Sequence, residues 1–176
     1  IEEIIRSVNP NGDFDYVSNP EFLREGAAVK DFLHPDRVVI GTRTQKAIDV
    51  MGEVYRPLYI NETPIISTTV ETAEMIKYAA NAFLSLKISY INEIANLCEA
   101  VGADVQEVAR AMGLDGRISA KFLHPGPGYG GSCFPKDTHA LAATGQKNSS
   151  PLLTVEAAIK TNASQKVRMV DKLKRL

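Results

Sequence analysis

The hydrophobic pattern changes after the first third of the chain. Short apolar runs that are typical of strands lie at Phe14–Val17, Val38–Gly41 and Pro64–Ser67. An amphipathic pattern over Thr44–Tyr59 predicts a helix between the second and third runs. This alternation is typical of an α/β domain, and it predicts the end of a parallel sheet within residues 1–67.

From Thr68 onward, apolar residues recur at helical spacing. Thr68 and Glu71 have the spacing of a capping box, and the pattern continues to Val101 before Gly102. These residues predict one helix of roughly 30 residues and about 45 Å. A helix that is so long, and apolar on more than one face, is usually covered by another chain or a second domain. We therefore expect a homodimer interface along it.

Two more helices are predicted after the long one. A capping box at Asp104–Glu107 opens a short helix that ends at Gly113, and Ser150-Pro151 opens a last long helix that runs towards Leu176. Residues 68–176 therefore read as an all-α domain.

Composition and charge exclude several classes of protein. The chain has 20 basic and 21 acidic residues, a net charge of −1 and no dense basic surface, so nucleic acid is not an expected partner. No apolar run approaches the roughly 20 residues that cross a membrane. Two cysteines favour a reducing, cytoplasmic compartment over a disulfide framework. The chain begins without methionine and inside a helical pattern, which suggests a piece of a longer protein.

The densest chemical signal is the glycine-rich segment Gly126–Asp137. Its first six residues match the glycine pattern of dinucleotide-binding turns, but no strand precedes them, so we reject that interpretation. Pro135 suits the first turn of a following helix, which places Cys133 at a helix N-terminus beside Lys136. The positive charge there favours the nucleophilic thiolate. Asp137, one helical turn further on, is placed to handle a proton or to bind a substrate hydroxyl.

The alternative interpretation is a structural loop with an inert cysteine. Free cysteines are often buried, and Cys98, between Leu97 and Val101 in a helical pattern, is expected only to pack. The combination of glycines, a helix start, Lys136 and Asp137 favours a reactive thiol instead.

Two other groups of residues interrupt the apolar pattern. Lys77 and Asn81 are four residues apart on one helix face, where an ammonium and an amide could stabilise an oxyanion. The alternative is a solvated lysine. The segment Asn19–Gly26 follows a strand, and strand ends in α/β sheets are common ligand sites. In the other interpretation, Glu21 and Glu25 merely complement a helix dipole.

Four motifs occur in a fixed order along the chain. They are Ser18-Asn-Pro-Glu-Phe-Leu-Arg-Glu-Gly26, His34-Pro-Asp-Arg37-Val-Val-Ile-Gly41, Lys77 with Asn81 after Ala73-Glu74, and Gly130-Gly-Ser-Cys-Phe-Pro-Lys-Asp137. Together they resemble the UDP-glucose/GDP-mannose dehydrogenase family over essentially the whole chain. Arg117-Ile118 followed by Lys121-Phe-Leu123 is most similar to its UDP-glucose 6-dehydrogenases. The resemblance implies the end of a Rossmann-type NAD domain followed by a central helical dimerisation domain.

The resemblance also implies a reaction, the NAD-dependent oxidation of UDP-glucose to UDP-glucuronate. Cys133 would be the covalent nucleophile, which forms a thiohemiacetal and then a thioester. Lys77 would stabilise the oxyanion, and Asn81 would orient the substrate. Asp137 would assist proton transfer with water, and Glu25 would support thioester hydrolysis close to the cofactor.

The remaining implied site residues bind substrate or cofactor. Glu21, Phe22 and Leu23 would lie along the substrate, Tyr129 and Gly130 beside the nucleotide, Lys136 near the cofactor, and Arg117 in the neighbouring subunit's site. No metal is implied.

The chain departs from the family pattern at several points. His124-Pro125 stands where some members have a Lys-Ala-like pair. The family's N-terminal glycine fingerprint, the threonine before the catalytic glutamate and the C-terminal domain are not in this chain, so we expect the chain alone to be inactive. A dehydrogenase of UDP-N-acetylmannosamine or GDP-mannose, or a non-catalytic helical dimerisation module, remains an alternative.

Overall fold

The computed structural model describes residues 1–175, with the side chains of residues 59 and 60 left aside. The chain divides into two compact units, Ile1–Lys77 and Tyr78–Leu176. The predicted class, an α/β segment followed by an all-α domain, is confirmed. The domain boundary predicted after residue 67 stays a prediction.

The first unit contains a small sheet with helices around it, and the second unit is helical. The elements of the first unit are α1 (Glu2–Val8), β1 (Val17–Ser18), α2 (Ala28–Leu33), β2 (Val38–Thr42), α3 (Gln45–Tyr55), a 3-10 helix (Arg56–Asn61) and β3 (Ile65–Thr68). A long helix, α4 (Val70–Val101), begins in the first unit and continues into the second, which also holds α5 (Val105–Gly113), α6 (Cys133–Lys147) and α7 (Leu153–Leu173).

The three described strands form one sheet in the order β1-β2-β3. β2 and β3 are parallel, as predicted, but β1 is antiparallel to β2. β1 covers Val17–Ser18 and not the predicted Phe14–Val17. Before Val17 the chain is held beside β2 by side-chain bonds in place of backbone pairing, since Thr42 Oγ1 donates to Tyr16 O and Thr44 Oγ1 donates to the Asp15 carboxylate.

The central strand β2 is buried along its whole length. Val38 and Ile40 pack with Leu58 in the core of this unit. Gly41 brings the start of α4 against the strand, since a Cβ at Gly41 would lie only 2.4 Å from the Cβ of Ala73. β3 pairs with β2 on one side, and among the described strands its other side has no partner. On this outer strand, Ile66 is 41% exposed.

The helix starts follow the predicted caps in part. Thr44 Oγ1 accepts from Ala47 N at 3.2 Å and begins α3, but α3 ends at Tyr55 and a 3-10 helix with Pro57 in its first turn follows. The cap of α4 is Thr69, whose Oγ1 accepts from Thr72 N at 3.2 Å. The predicted cap, Thr68, is wrong by one residue because it is the last residue of β3.

In the second unit, the predicted end of α4 at Gly102 and the predicted cap of α5 at Asp104 are confirmed. α4 ends at Val101, and Gly102 follows with φ +74°, a left-handed conformation that favours glycine. Asp104 accepts from Gln106 N at 2.7 Å and caps α5.

The last helix begins later than predicted. α7 starts at Leu153 and not directly after Ser150-Pro151, because the Ser150 N–H donates to Gly145 O at the end of α6. α7 ends at Leu173, and Leu176 lies outside the described residues.

The long helix α4 has two different environments in the second unit. Ile91 packs with Ala109 and Leu123 in the core. Phe83, Tyr90 and Leu97, which are spaced seven residues apart, are exposed. Along the described chain, no helix combines the length and the apolar character that crossing a membrane needs.

Candidate active site

Three of the predicted site residues form one cluster in the first unit, the lysine cluster of Glu21, Phe22 and Lys77. Lys77 Nζ donates to Glu21 O at 2.5 Å and to Glu21 Oε1 at 3.0 Å. The same ammonium lies 5.6 Å from the centre of the Phe22 ring, a cation–π contact. The Lys77 side chain is only 17% exposed, so it is not a freely solvated lysine. The cluster fixes the Lys77 ammonium at a defined position, and the Arg37 guanidinium lies over the same Phe22 ring, 3.8 Å from its centre.

The segment Asn19–Gly26 was predicted to be a ligand site because it follows a strand, but its position does not follow from that rule. Ligands bind at the carboxyl ends of parallel strands. β1 is antiparallel to β2 and therefore runs towards the beginning of β2. Its last residue, Ser18, pairs with Gly41, and Asn19 Nδ2 donates to Val39 O at 2.8 Å. The premise of that prediction was therefore wrong, although the segment does meet the predicted lysine.

The turn that follows is exposed and carries Leu23 and Glu25. An ion pair anchors it, because Arg24 Nη2 lies 2.5 Å from Asp31 Oδ1 and both Arg24 N and Arg24 Nε also donate to this carboxylate. These hydrogen bonds from Arg24 lower the pKa of Asp31 to about 2. Glu21 is bound to Lys77 and does not complement a helix dipole. Glu25 lies in the turn before α2.

In the second unit, Cys133 is the first residue of α6 and is half-buried. It was predicted just before this helix. The preceding Ser132 makes no side-chain cap, and its Oγ lies 3.8 Å from Cys133 Sγ. Lys136 is exposed, with its Nζ 3.7 Å from Asp137 Oδ1. The thiol therefore lies at the positive end of a helix dipole.

A buried carboxylate–amide pair lies one turn after the cysteine. Asn81 Nδ2 donates to Asp137 Oδ2 at 2.6 Å, and the two residues are 6% and 3% exposed. A carboxylate this deep is tolerated because Asn81 donates to one oxygen and the Lys136 ammonium lies 3.7 Å from the other. The arrangement keeps a carboxylate at a fixed place beside the start of α6, where it can accept or release a proton.

Tyr129 and Gly130 lie on the loop before Cys133. Gly130 is exposed, whereas Tyr129 is buried and its ring packs edge-on against Phe134 with centroids 6.1 Å apart. Burial raises the pKa of Tyr129, and a hydrogen bond between its side chain and that of Thr138 opposes the rise. The tyrosine ring thus packs against α6 and does not line an open surface.

Arg117 has a side chain that is 90% exposed. Its Nη2 lies 2.6 Å from Asp115 Oδ2, and Arg117 N donates to the other carboxylate oxygen at 3.0 Å. These bonds lower the pKa of Asp115 and raise that of Arg117. Arg117 belongs to neither the lysine cluster nor the Asn81–Asp137 pair.

Cys98 is buried at 6% exposure in α4, as predicted for a packing residue. Neither cysteine is in a disulfide. Among the residues that the structure describes, no group of three or more His, Cys, Asp or Glu has the arrangement of a metal site.

Sequence reasoning missed three buried amides, Asn92, Asn162 and Gln165. All three side chains bind the backbone of the loop between Gly126 and Tyr129. The sequence pattern could have indicated them, because an amide on the core side of a helix needs a hydrogen-bond partner. The identity of that partner could not be predicted from residue spacing.

Comparison with known proteins identifies the class of protein to which these units correspond. Residues 1–59 match the UDP-glucose/GDP-mannose dehydrogenase family, NAD binding domain, and residues 71–164 match the central domain of the same family. The chain belongs to the UDP-glucose/GDP-mannose dehydrogenase family.

Individual relatives are similar over nearly the whole chain. The UDP-glucose 6-dehydrogenase of Rhizobium meliloti is 59% identical over 98% of this chain, and the UDP-glucose 6-dehydrogenase TuaD of Bacillus subtilis is 55% identical over 91%. The chain spans only 40% and 34% of the lengths of these two relatives.

Solved structures share the fold. A UDP-glucose dehydrogenase from Pyrobaculum islandicum superposes with a TM-score of 0.88 at 38% identity, over 93% of this chain and 37% of its own. A GDP-mannose dehydrogenase from Pseudomonas aeruginosa has a TM-score of 0.62 at 34% identity, over 99% of this chain and 40% of its own.

The residues present fit only part of an NAD site. The parallel strands β2 and β3, joined through α3, have the architecture of a dinucleotide-binding domain. Glu25 and Lys136, the residues expected near NAD, are both exposed and so are accessible to a ligand. The glycine loop before Lys136 follows helix α5 and not a strand, so it is not the strand–turn–helix unit that binds a pyrophosphate.

Proposed function

We propose that the full-length protein is an NAD-dependent UDP-glucose 6-dehydrogenase, which makes UDP-glucuronate. The family membership and the names of the most similar relatives support the activity and the cofactor. The structural observation that carries the proposal is the buried Asn81–Asp137 pair, one helical turn from Cys133 at the start of α6. In this proposal residues 1–67 end the NAD domain, and residues 68–176 form the central domain.

The reaction converts the sugar's C6 alcohol to a carboxylate with two NAD and one water. The substrate loses four electrons as two hydrides, and three protons are released. NAD, when bound, takes up the hydride in each oxidation. After the first oxidation gives the aldehyde, the Cys133 thiolate attacks its carbon and forms a thiohemiacetal. Loss of the second hydride leaves a thioester, which water cleaves to release the carboxylate and the thiolate.

The two residues of the buried pair have complementary roles in these steps. Asp137 takes a proton from water as it attacks the thioester, and its fixed position makes that transfer efficient. Asn81 orients the substrate through its amide and holds Asp137 in place. Cys133, the first residue of α6, is the nucleophile in these steps.

The lysine cluster supplies a fixed positive charge. We assign to Lys77 the stabilisation of the oxyanion that forms on the sugar carbon, because an ammonium held by Glu21 and Phe22 needs no reorganisation during the reaction. Glu25 supports thioester hydrolysis and lies near the cofactor. These roles rest on the family resemblance.

The remaining roles concern binding. Glu21, Phe22 and Leu23 lie along the substrate, and Lys136 lies near the cofactor. The exposed Gly130 borders the nucleotide, with the buried Tyr129 packed behind it. Arg117 reaches a sugar hydroxyl in the neighbouring subunit's site. The exposure of Arg117 and Gly130 is consistent with contacts outside this chain.

A second copy of the protein is the proposed partner. The exposed Phe83, Tyr90 and Leu97 on α4 recur every seven residues, which is the spacing of a helix–helix seam. Two free cysteines are consistent with a reducing, cytoplasmic location.

A mixing experiment tests the shared site. Full-length Arg117→Ala and Cys133→Ser are co-expressed under different tags, and the mixed dimer is isolated. One site of that dimer keeps its own Cys133 and receives Arg117 from the partner copy, so NADH production should return. If Arg117 acts within its own subunit, every site carries a lesion and the mixed dimer stays as inactive as its parents.

The activity is tested by supplying the full-length protein and NAD with UDP-glucose, UDP-N-acetylmannosamine or GDP-mannose and following NADH. UDP-glucose should give the highest kcat/KM, with two NADH formed per sugar. Preference for another sugar would favour the second candidate, which the fold shared with the GDP-mannose dehydrogenase keeps open. No NADH with any of the three sugars would favour a non-catalytic helical module.

A further inference from the structure

The backbone of the loop before Cys133 is held by a side chain of α7. Asn162 Oδ1 accepts from Tyr129 N at 2.7 Å, and Asn162 Nδ2 donates to Tyr129 O at 3.0 Å. Both backbone groups of one residue are thus bound by one amide, which is 6% exposed. The loop passes so close that a Cβ at Gly128, where φ is +108°, would lie 2.5 Å from Asn162 Oδ1. Glycine is required there.

Two more amides hold the loop at Gly126. Its N–H donates to Asn92 Oδ1 on α4 at 2.7 Å, and its carbonyl accepts from Gln165 Nε2 on α7 at 2.9 Å. Asn92 is 1% exposed, and within the described residues its Nδ2 has no partner. A buried N–H without a partner destabilises the fold. The Asn92 side chain therefore stabilises the protein through its bond to Gly126. We call Asn92, Asn162 and Gln165 the amide clamp.

The clamp is connected to the start of α6 through Tyr129. The Tyr129 ring packs edge-on against Phe134, the neighbour of Cys133 in α6, with ring centroids 6.1 Å apart. Fixing the Tyr129 backbone therefore fixes the contact surface on which the first turn of α6 rests.

We propose that Asn162 is a positioning residue, which acts through Tyr129 to hold Cys133 and Asp137 in their reactive arrangement; this rests on the proposed function. A purely structural amide would contribute stability alone. A positioning amide also affects the chemical step, because a nucleophile displaced by about 1 Å can lose about 10²-fold in rate. Its loss should therefore lower kcat while KM changes little.

The test is Asn162→Leu in the full-length protein, a change that keeps the volume and removes both hydrogen bonds. Amide hydrogen exchange of the peptide covering residues 126–132 should be at least about ten-fold faster, since one amide loses its acceptor. With UDP-glucose and NAD, kcat should fall at least about ten-fold. Ser89→Ala is the matched control, because it removes a buried hydrogen bond between α4 and α7 (Ser89 Oγ to Ala158 O, 3.1 Å) without touching the loop. It should change neither quantity.

Each outcome decides the proposal. Unchanged exchange, unchanged kcat, or a rise in KM alone would overturn it. If Asn162→Leu does not fold, Gln165→Met, which removes only the bond to the Gly126 carbonyl and its Asn96 partner, should still lower kcat.

A parent protein that is inactive with all three sugars would refute the proposed function and not the clamp. The rate at which iodoacetamide alkylates Cys133 is then measured in place of kcat. Slower alkylation in Asn162→Leu, through loss of the fixed helix start, supports the clamp, and an equal or faster rate overturns it.

Discussion

Removal of the negative charge on Asp137 should separate catalysis from folding. This carboxylate is 3% exposed, and it accepts from Asn81 Nδ2 at 2.6 Å. Asp137→Asn keeps the shape of the side chain and leaves an oxygen that can accept the same bond. It removes the group that handles the proton. We therefore expect a folded protein with little activity.

The expected changes in stability and in kcat follow from the surroundings of Asp137. Hydrogen bonds to charged groups contribute about 1.5–3 kcal/mol and those between neutral groups about 0.5–1.5, so the substitution weakens this bond by about 1 kcal/mol. The buried carboxylate has a desolvation penalty that an amide avoids, which offsets part of the loss. The free energy of unfolding should thus change by no more than about 1 kcal/mol. General acid–base catalysis contributes about 10²- to 10⁴-fold, so kcat should fall at least about 10²-fold.

The assay pairs NADH production at saturating UDP-glucose with thermal unfolding of the full-length protein. Asn81→Leu is the comparison, because it leaves the Asp137 carboxylate buried without its amide donor and should cost about 1–3 kcal/mol or more. Asp137→Asn should therefore lose activity alone, and Asn81→Leu should lose both activity and stability. Loss of acid–base catalysis should lower kcat at least about 10²-fold. If kcat of Asp137→Asn stays within about three-fold of the parent, the carboxylate does not handle the proton. A large loss of stability would show that the fold needs the charge.

Three other outcomes can be measured directly. Iodoacetamide should alkylate the half-buried Cys133, at a helix start, much faster than the buried Cys98, and equal rates by peptide mass spectrometry would contradict the site. Because Asp31 has its pKa lowered to about 2, its ion pair should stabilise the fold above the ordinary value of 3.8 and lose that effect as the pH falls from 3.8 towards 2. Asp31→Asn should flatten this part of the profile of urea midpoints against pH, and an unchanged slope would refute the assignment. Gly41→Ala should destabilise the fold by about 1–3 kcal/mol, because its Cβ would overlap the facing alanine of α4. Gly52→Ala, in α3 with open space around the position, should stabilise the fold by about 0.5–1 kcal/mol. The reverse order in unfolding experiments would show that the contact at Gly41 is loose.

The sequence was most informative where the chemistry is local. Gly102 and Asp104 mark the end of α4 and the start of α5 because a left-handed glycine and a capping carboxylate act within a few residues. The predicted starts failed where a distant element competes. Thr68 is held in the sheet beside Gly41, and Ser150 is bound to the end of α6.

The difference between local and distant contacts also decides how much of the site could be predicted. Cys133 and Asp137 are one turn apart in the sequence, so their proximity could be predicted from helical spacing alone. The bond between Asn81 and Asp137 joins residues 56 positions apart, and the bond between Asn162 and Tyr129 joins residues 33 apart. Such partners depend on which helix packs against which, and no periodicity in this single sequence encodes that choice.

Among the described strands, β3 is paired on one side only, and this has a practical consequence for work with the first unit alone. An edge strand offers a row of N–H and C=O groups to any other strand, and the exposed Ile66 adds an apolar surface to it. Residues 1–77 expressed by themselves would therefore tend to aggregate by strand addition as their concentration rises. A lysine at position 66 would act as a gatekeeper against this association, because a charged side chain on an edge strand opposes the approach of a second sheet.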